Sequence, residues 1–338
     1  MKHEEVKISG SRKESHLNLA FESQNSGMDE RFHYEPMLSA HPEKSSIPVF
    51  LGNQKMDYPL WISSMTGGTS EAADINKVLA KTARKFGLGI GLGSCRIILD
   101  DQSRFEDFNL RPILGDEVPF YANLGIAQVE ELLGSGKIHL LKKMLSRLQA
   151  NGLIIHVNPL QEWLQPEGDR FQQAPLETVK QLLNEISHPV IVKEVGQGFG
   201  PASMKELLRL PILAVDFAAN GGTNFSKLEL LRNPDADSSF ASLISVGHTA
   251  EEMVNFLNEA AEELGNERKC EMAIISGGIK SFLDGYYLMS KCHLPSIYGQ
   301  ASAFLRHAKS SQEELDKYVQ SQINGLLLSR SFLKIKNN

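Results

Sequence analysis

The stretch LIIHVNPLQEWLQ, residues 153–165, begins as an apolar run and ends with His156, Asn158, Gln161 and Glu162 crowded into seven residues. An apolar run of that length, without polar alternation, reads as a strand buried on both faces. Its polar cluster lies at the C-terminal end, where parallel α/β proteins gather their chemistry. Similar runs recur on either side: LWISSM (60–65), LGIGLG (88–93), VPFYANLG (118–125), VIVKEVG (190–196), LAVDFA (213–218), MAIISGG (272–278) and LPSIYG (294–299).

Between these runs the spacing is helical. Met253, Phe256, Leu257, Ala260 and Leu264 share one face of a helix over 251–264, and Gly265 is placed to end it in a left-handed conformation. Ile75, Leu79, Ala83 and Phe86 repeat the pattern over 71–86. Strands alternating with helices make parallel βα units, and eight of them close a barrel. The competing open, doubly wound sheet would carry GxGxxG after its first strand, where this chain reads SSMTGG. The expected architecture is α/β, a (β/α)8 TIM barrel over residues 59–335. Residues 1–58 are expected to form an irregular N-terminal arm with short helices rather than a core element.

The chain has 338 residues, 41% hydrophobic and 22% charged, enough for a large core in one barrel. A net charge of −6 supplies no global attraction for nucleic acid or anionic membrane, so an anionic ligand needs a local positive site. The three cysteines, Cys95, Cys270 and Cys292, have neither CxxC nor paired spacing. No signal-like apolar core opens the chain and no run of apolar residues is long enough to span a bilayer, so a cytoplasmic protein is expected.

Read in order, the strand ends are SSMTGG, GSCR, ANLG, HVNPLQE, KEVGQGFG, DFAANGGTN, SGGIK and YGQASAF. Small and polar residues at every end point to a large ligand across the barrel mouth. SGGIK is expected to open a helix and turn the N–H groups of Gly277 and Gly278 toward an anion, and YGQAS can do the same. Lys193, inside an apolar strand, needs an anion or a neighbouring acid. A flavin's N1–C2=O edge suits it, with Asn123 and Thr66 at the ring's rim; a mononucleotide such as FMN fits better than a dinucleotide. Glu162 offers Mg²⁺ a hard oxygen. His156 and Asn158 share strand parity and are expected to face the mouth together. Arg12, Lys13 and His16 form a short basic run, by composition alone a solvated surface, with a diphosphate clamp as the alternative.

SRKESH, SSMTGGT, GSCR, ANLG, HVNPLQE, VKEVGQGFG, GGTNF, SGGIK and YGQASAFL, in this order, resemble the type 2 isopentenyl-diphosphate isomerases, FMN- and Mg²⁺-dependent (β/α)8 enzymes. The resemblance runs from about residue 11 to residue 305. It implies interconversion of isopentenyl and dimethylallyl diphosphate by proton addition and abstraction at FMN, reduced by NADPH without net redox. It further implies that Ser64, Met65, Thr66, Ser94, Asn123, Lys193, Thr223, Gly277, Gly278, Ala301 and Ser302 line FMN. Arg12, Lys13, His16, Arg96 and Gln161 would hold the substrate, Gln161, His156 and Asn158 the catalytic position, and Glu162 the Mg²⁺. The basic run is then a diphosphate clamp, and a homo-oligomer, tetramer or octamer, is expected. The chain departs from the pattern at DFAANGGTNF, at the longer GQGFGPAS loop and at Cys95. The alternatives are an FMN-dependent oxidoreductase of the 2-hydroxy-acid oxidase type, a barrel dehydrogenase using Cys95, and a non-catalytic flavin-binding protein.

Overall fold

A computed structural model describes residues 15, 19–24, 27–43, 46–64, 70–233 and 238–336. All eight apolar runs form strands: β1 (Leu60–Ile62), β2 (Gly89–Gly91), β3 (Phe120–Gly125), β4 (Gly152–His156), β5 (Val190–Lys193), β6 (Ala214–Asp216), β7 (Met272–Ser276) and β8 (Ser296–Gln300). They pair in parallel and in sequence order, and β8 closes onto β1. The α/β barrel expected from the sequence is therefore the fold.

Strand alternation sorts the side chains into two cores. Residues such as Ile62, Ile90, Leu153, Val192 and Val215 face outward and pack under the helices. Trp61, Tyr121, Ile154, Ile191, Ala214, Ile274 and Ile297 face inward and fill the barrel. Two residues further along each strand the same parity brings Ser63, Asn123, His156, Lys193, Asp216, Ser276 and Gly299 to the inner rim of the C-terminal mouth. The barrel is apolar up to that rim and polar at it.

Both helices anticipated from spacing are present, as Ser70–Phe86 and Ala250–Leu264. Thr249 and Glu252 cap the second reciprocally. Gly265 ends it with a φ of +50°, although its ψ of −117° lies outside the left-handed helical region.

The stretch before residue 58 contributes more than an irregular arm. Phe32–Tyr34 pairs with Leu333–Ile335, and Val49–Leu51 forms a hairpin with Gln54–Met56. Leu51 and Met56 are fully buried in the same cluster as Trp61 and Ile154. The Asp57 N–H donates to Gly87 O at 2.8 Å, which fixes the hairpin at the N-terminal ends of the strands. An arm without core elements is therefore not what this stretch forms. Strands of three residues are too short to show a period, yet the two apolar side chains they carry seal the barrel floor. The polar rim lies at the other end.

Candidate active site

The mouth holds a cleft of about 270 Å³ between the loops after β1, β5, β6, β7 and β8. Seven of the expected flavin contacts line it: Ser64, Lys193, Thr223, Gly277, Gly278, Ala301 and Ser302. Ser94 is exposed and Asn123 buried, and neither lines the cleft. Met65 and Thr66 lie outside the described residues, as do Arg12, Lys13 and His16. Sequence reading missed Ser63 and Arg306, which line the cleft too. Among the described residues the hydroxyls of Ser63 and Ser64 are buried without a partner, an arrangement suited to a ligand.

The glycines let two loops meet backbone to backbone. A Cβ on Gly221 would lie 3.1 Å from Gly278 Cα, and one on Gly277, at φ +84°, would lie 2.2 Å from Ala219 N and O. Contrary to the sequence expectation, SGGIK does not open a helix at the glycines. That helix is Phe282–Lys291, capped by Ser281 and Asp284 beyond the SGGIK turn. The YGQAS expectation fares better: Ser302–Ser310 is a helix whose N-cap, Ala301, offers no side-chain acceptor. Its first N–H groups are free for an anion in the cleft.

Lys193 is buried and its Nζ donates to Glu194 O at 2.7 Å. The Glu194 carboxylate accepts the N–H groups of Gly196, Gln197 and Gly198 at 2.7, 2.6 and 2.8 Å, so it shapes the long loop after β5. Burial holds that carboxyl above its ordinary range. Gln197 Nε2 donates in turn to Leu243 O and Val246 O, tying the loop to the segment after β6.

The stretch at the end of β4 is the second half of the site. His156 Nδ1 lies 2.7 Å from Asn123 Oδ1, while the Asn123 amide nitrogen donates to Leu92 O at 3.0 Å. The proton is therefore on Nδ1. Burial, with a smaller contribution from the Lys193 charge, pushes His156 down to about 3. Between the ordinary histidine value and that one, the unfolded chain binds a proton that the folded chain refuses. Stability contributed by neutral His156 is thus intact above about pH 6.5 and declines as pH falls toward 3. His156→Gln is expected to flatten this part of the pH dependence in denaturant titrations. Parallel curves for the two proteins from about pH 7 to about pH 4 would contradict it.

Asn158 corrects the parity expectation. Strand β4 ends at His156, and Asn158 is the N-cap of a short helix, Pro159–Leu164. Its amide turns along that helix, donating to Gln161 Oε1 at 3.1 Å and Glu162 Oε1 at 2.8 Å, and its own oxygen is buried without a partner. Glu162 Oε2 accepts the Asp169 N–H at 2.8 Å, and Asp169 pairs with Arg96 at 2.8 Å. Arg96, Asn158, Gln161 and Glu162 thus form one connected cluster, with Asp169 as a link that the sequence does not announce.

Glu229 is a further residue that sequence reading missed. It is 5% exposed in the helix Phe225–Arg232 and accepts from Gln161 Nε2 at 3.1 Å and Gln165 Nε2 at 2.9 Å. Within that helix Glu229 pairs with Arg232 at 3.0 Å, an ordinary i,i+3 spacing, and its links to Gln161 and Gln165 come from the distant loop after β4. The thiol alternative loses support, since burial pushes Cys95 up to about 12 and withholds the thiolate.

Fold and cleft together define an α/β-barrel enzyme with a polar, anion-ready mouth. The same fold occurs, at 12% identity, in a mandelate oxidase variant carrying a monooxide FMN adduct (TM-score 0.56, covering 91% of this chain and 88% of that one). A flavocytochrome b2 variant with bound sulfite, also at 12%, gives a TM-score of 0.61 over 89% and 72%. No protein-family model matches. The isopentenyl-diphosphate delta-isomerases of Rickettsia felis and Rickettsia typhi are 34% and 33% identical over 283 residues, 83% of this chain and 78% and 79% of theirs. The chain belongs to the isopentenyl-diphosphate delta-isomerase family. Among the described residues no helix is long and apolar enough to cross a membrane.

Proposed function

We infer that this protein interconverts isopentenyl diphosphate and dimethylallyl diphosphate, with FMN in the cleft and Mg²⁺ beside Glu162. The observation that carries this is the juxtaposition of two unlike half-sites: an anion-ready cleft with unpartnered hydroxyls, and the Asn158–Gln161–Glu162–Glu229 cluster at the same mouth. Ser63, Ser64, Lys193, Gly277, Gly278 and the uncapped helix after Ala301 fit a flavin mononucleotide, whose phosphate would take the helix N-terminus. Bound and reduced, FMN would supply an electron-rich face able to exchange a proton with an alkene.

The reaction adds a proton to the terminal carbon of the alkene and removes another two carbons away, so positive charge develops in between. The chain's part is to position and to stabilise that charge. Asn158 donates to Gln161 Oε1 while Glu229 accepts from Gln161 Nε2, which fixes both ends of the amide. Glu229, paired with Arg232 at 3.0 Å, adds a buried carboxylate behind Gln161.

Glu162 suits Mg²⁺, which takes one or two carboxylates and completes its shell with water and substrate phosphate. Among the described residues no group of three or more His, Cys, Asp or Glu could cage a metal, and that agrees with a site finished by the diphosphate. The orphaned Asn158 oxygen is available to a water of the ion's shell. Arg12, Lys13 and His16, with Arg96, complete the diphosphate contacts in this reading, and NADPH is the reductant. A cytoplasmic homo-oligomer, tetramer or octamer, completes it.

An oxidase of 2-hydroxy acids would need a histidine base and an arginine clamp after β6 or β7. DFAANGGTN and SGGIK contain neither. The decisive experiment supplies FMN, Mg²⁺ and NADPH without oxygen and follows conversion of isopentenyl to dimethylallyl diphosphate. Turnover requiring both FMN and Mg²⁺ is expected; flavin reduction without isomerisation would favour the oxidoreductase.

A further inference from the structure

Asp216 has no part in the chemistry derived above, yet it is the most deeply buried acid at the mouth. It is 0% exposed at the end of β6 and does not line the cleft. Strand register pairs it with Lys193 on β5, and Lys193 with His156 on β4, so the three stand side by side on the inner rim. One carboxylate oxygen accepts from Ser276 Oγ on β7; the other, Oδ2, is buried with no partner among the described residues. Ser276 Oγ also accepts the N–H of Ala218 at 2.8 Å. Ala218 lines the cleft at a φ of +41°, strained for a residue with a side chain, so this network is tightly determined.

An ionised acid sealed among strands with a vacant oxygen is costly unless a cation answers it. Lys193, its register partner on β5, faces the same rim, although its ammonium bonds to the Glu194 carbonyl and no ion pair within 4.0 Å joins it to Asp216. Burial drives the Asp216 carboxyl above its ordinary range, and the Lys193 charge pulls against that rise. The other groups around it do not compete. His156 is neutral, the Glu194 carboxylate is committed to its own loop, and Lys280 and Arg306 lie along the cleft.

We propose that Asp216 is the counter-ion that keeps Lys193 protonated at the cleft, its free oxygen serving as a second seat for the ammonium beside the Glu194 carbonyl. It is a positioning residue, acting on a bound ligand only through Lys193. Its purpose rests on the flavin reading: a ligand that gains negative charge on reduction meets a lysine that is already charged and already oriented. Lys193 then exchanges one anionic partner for another with no proton taken up from solvent.

The test is made on apo-protein with ¹³C-labelled lysine, following the Lys193 side-chain resonance by NMR titration and assigning it with Lys193→Arg. In Asp216→Asn the Lys193 midpoint is expected below that of the native protein. An unchanged midpoint overturns the proposal. Ser276→Ala retains the carboxylate and keeps the idea testable if the first variant does not fold. Its Lys193 midpoint is expected no lower than native, and a lower one would transfer the role to the hydroxyl and overturn the proposal. No flavin is present in these titrations. A native protein that fails to bind FMN would therefore sink the flavin reading, while the Lys193 midpoints would still decide the role of Asp216.

Discussion

Gln161→Ala is expected to lower kcat by about 10²–10⁴-fold, the range lost when a group that positions or moves a proton is removed, while FMN still binds. The reason is geometric. Gln161 is held at both ends, by Asn158 at 3.1 Å and by Glu229 at 3.1 Å, and it does not line the cleft that would hold the flavin. Truncation removes the amide between the buried Glu229 carboxylate and the reacting carbons without touching the cofactor's contacts. The loss should fall on kcat more than on KM, since the diphosphate is held by other residues. Single-turnover kinetics with prereduced enzyme would isolate the step. Native turnover in the variant would remove Gln161 from the mechanism.

The second large effect is expected at Gly277. A Cβ there meets Ala219 N and O at 2.2 Å, on a backbone with φ of +84°, and the obstacle is main chain. Gly277→Val is expected to cost about 2–6 kcal/mol, combining about 1–3 for backbone strain and about 1–3 for overpacking. Because the displaced loop forms one wall of the cleft, FMN affinity should fall with it. Flavin fluorescence quenching and denaturant unfolding measure the two separately. A variant with native stability and native affinity would mean that the loops after β6 and β7 need not touch.

The strands and the cleft are legible in the sequence because each rests on local signals. An apolar run is buried wherever it folds, and the polar residue that ends it reaches the mouth by strand alternation alone. Lys193 can be found in that way, Gly277 comes from the SGGIK loop, and Thr223, Ala301 and Ser302 come from the family resemblance. Asn158 shows the limit: counting parity past His156 assumes a strand where the chain has already given way to a helix. Glu229 and Asp169 are invisible as site residues because the cluster partners they hold, Gln161 and Arg96, come from other loops. Asp216 is within reach. It interrupts an apolar strand as Lys193 does, and a buried acid needs a partner as much as a buried lysine does. The hairpin at 49–56 is lost for a different reason, since two three-residue strands carry too little periodicity to register.

That hairpin also governs the order of events at the mouth. Among the described residues Leu51 and Met56 fill the floor, so the cleft opens at the opposite end of the barrel. Whatever lies deepest must arrive first and leave last, and a molecule resting above it acts as a stopper. A cofactor seated under its substrate would thereby be retained through repeated cycles. Its escape rate should track how often the upper compartment stands vacant, so saturating substrate would protect the holoenzyme against dilution.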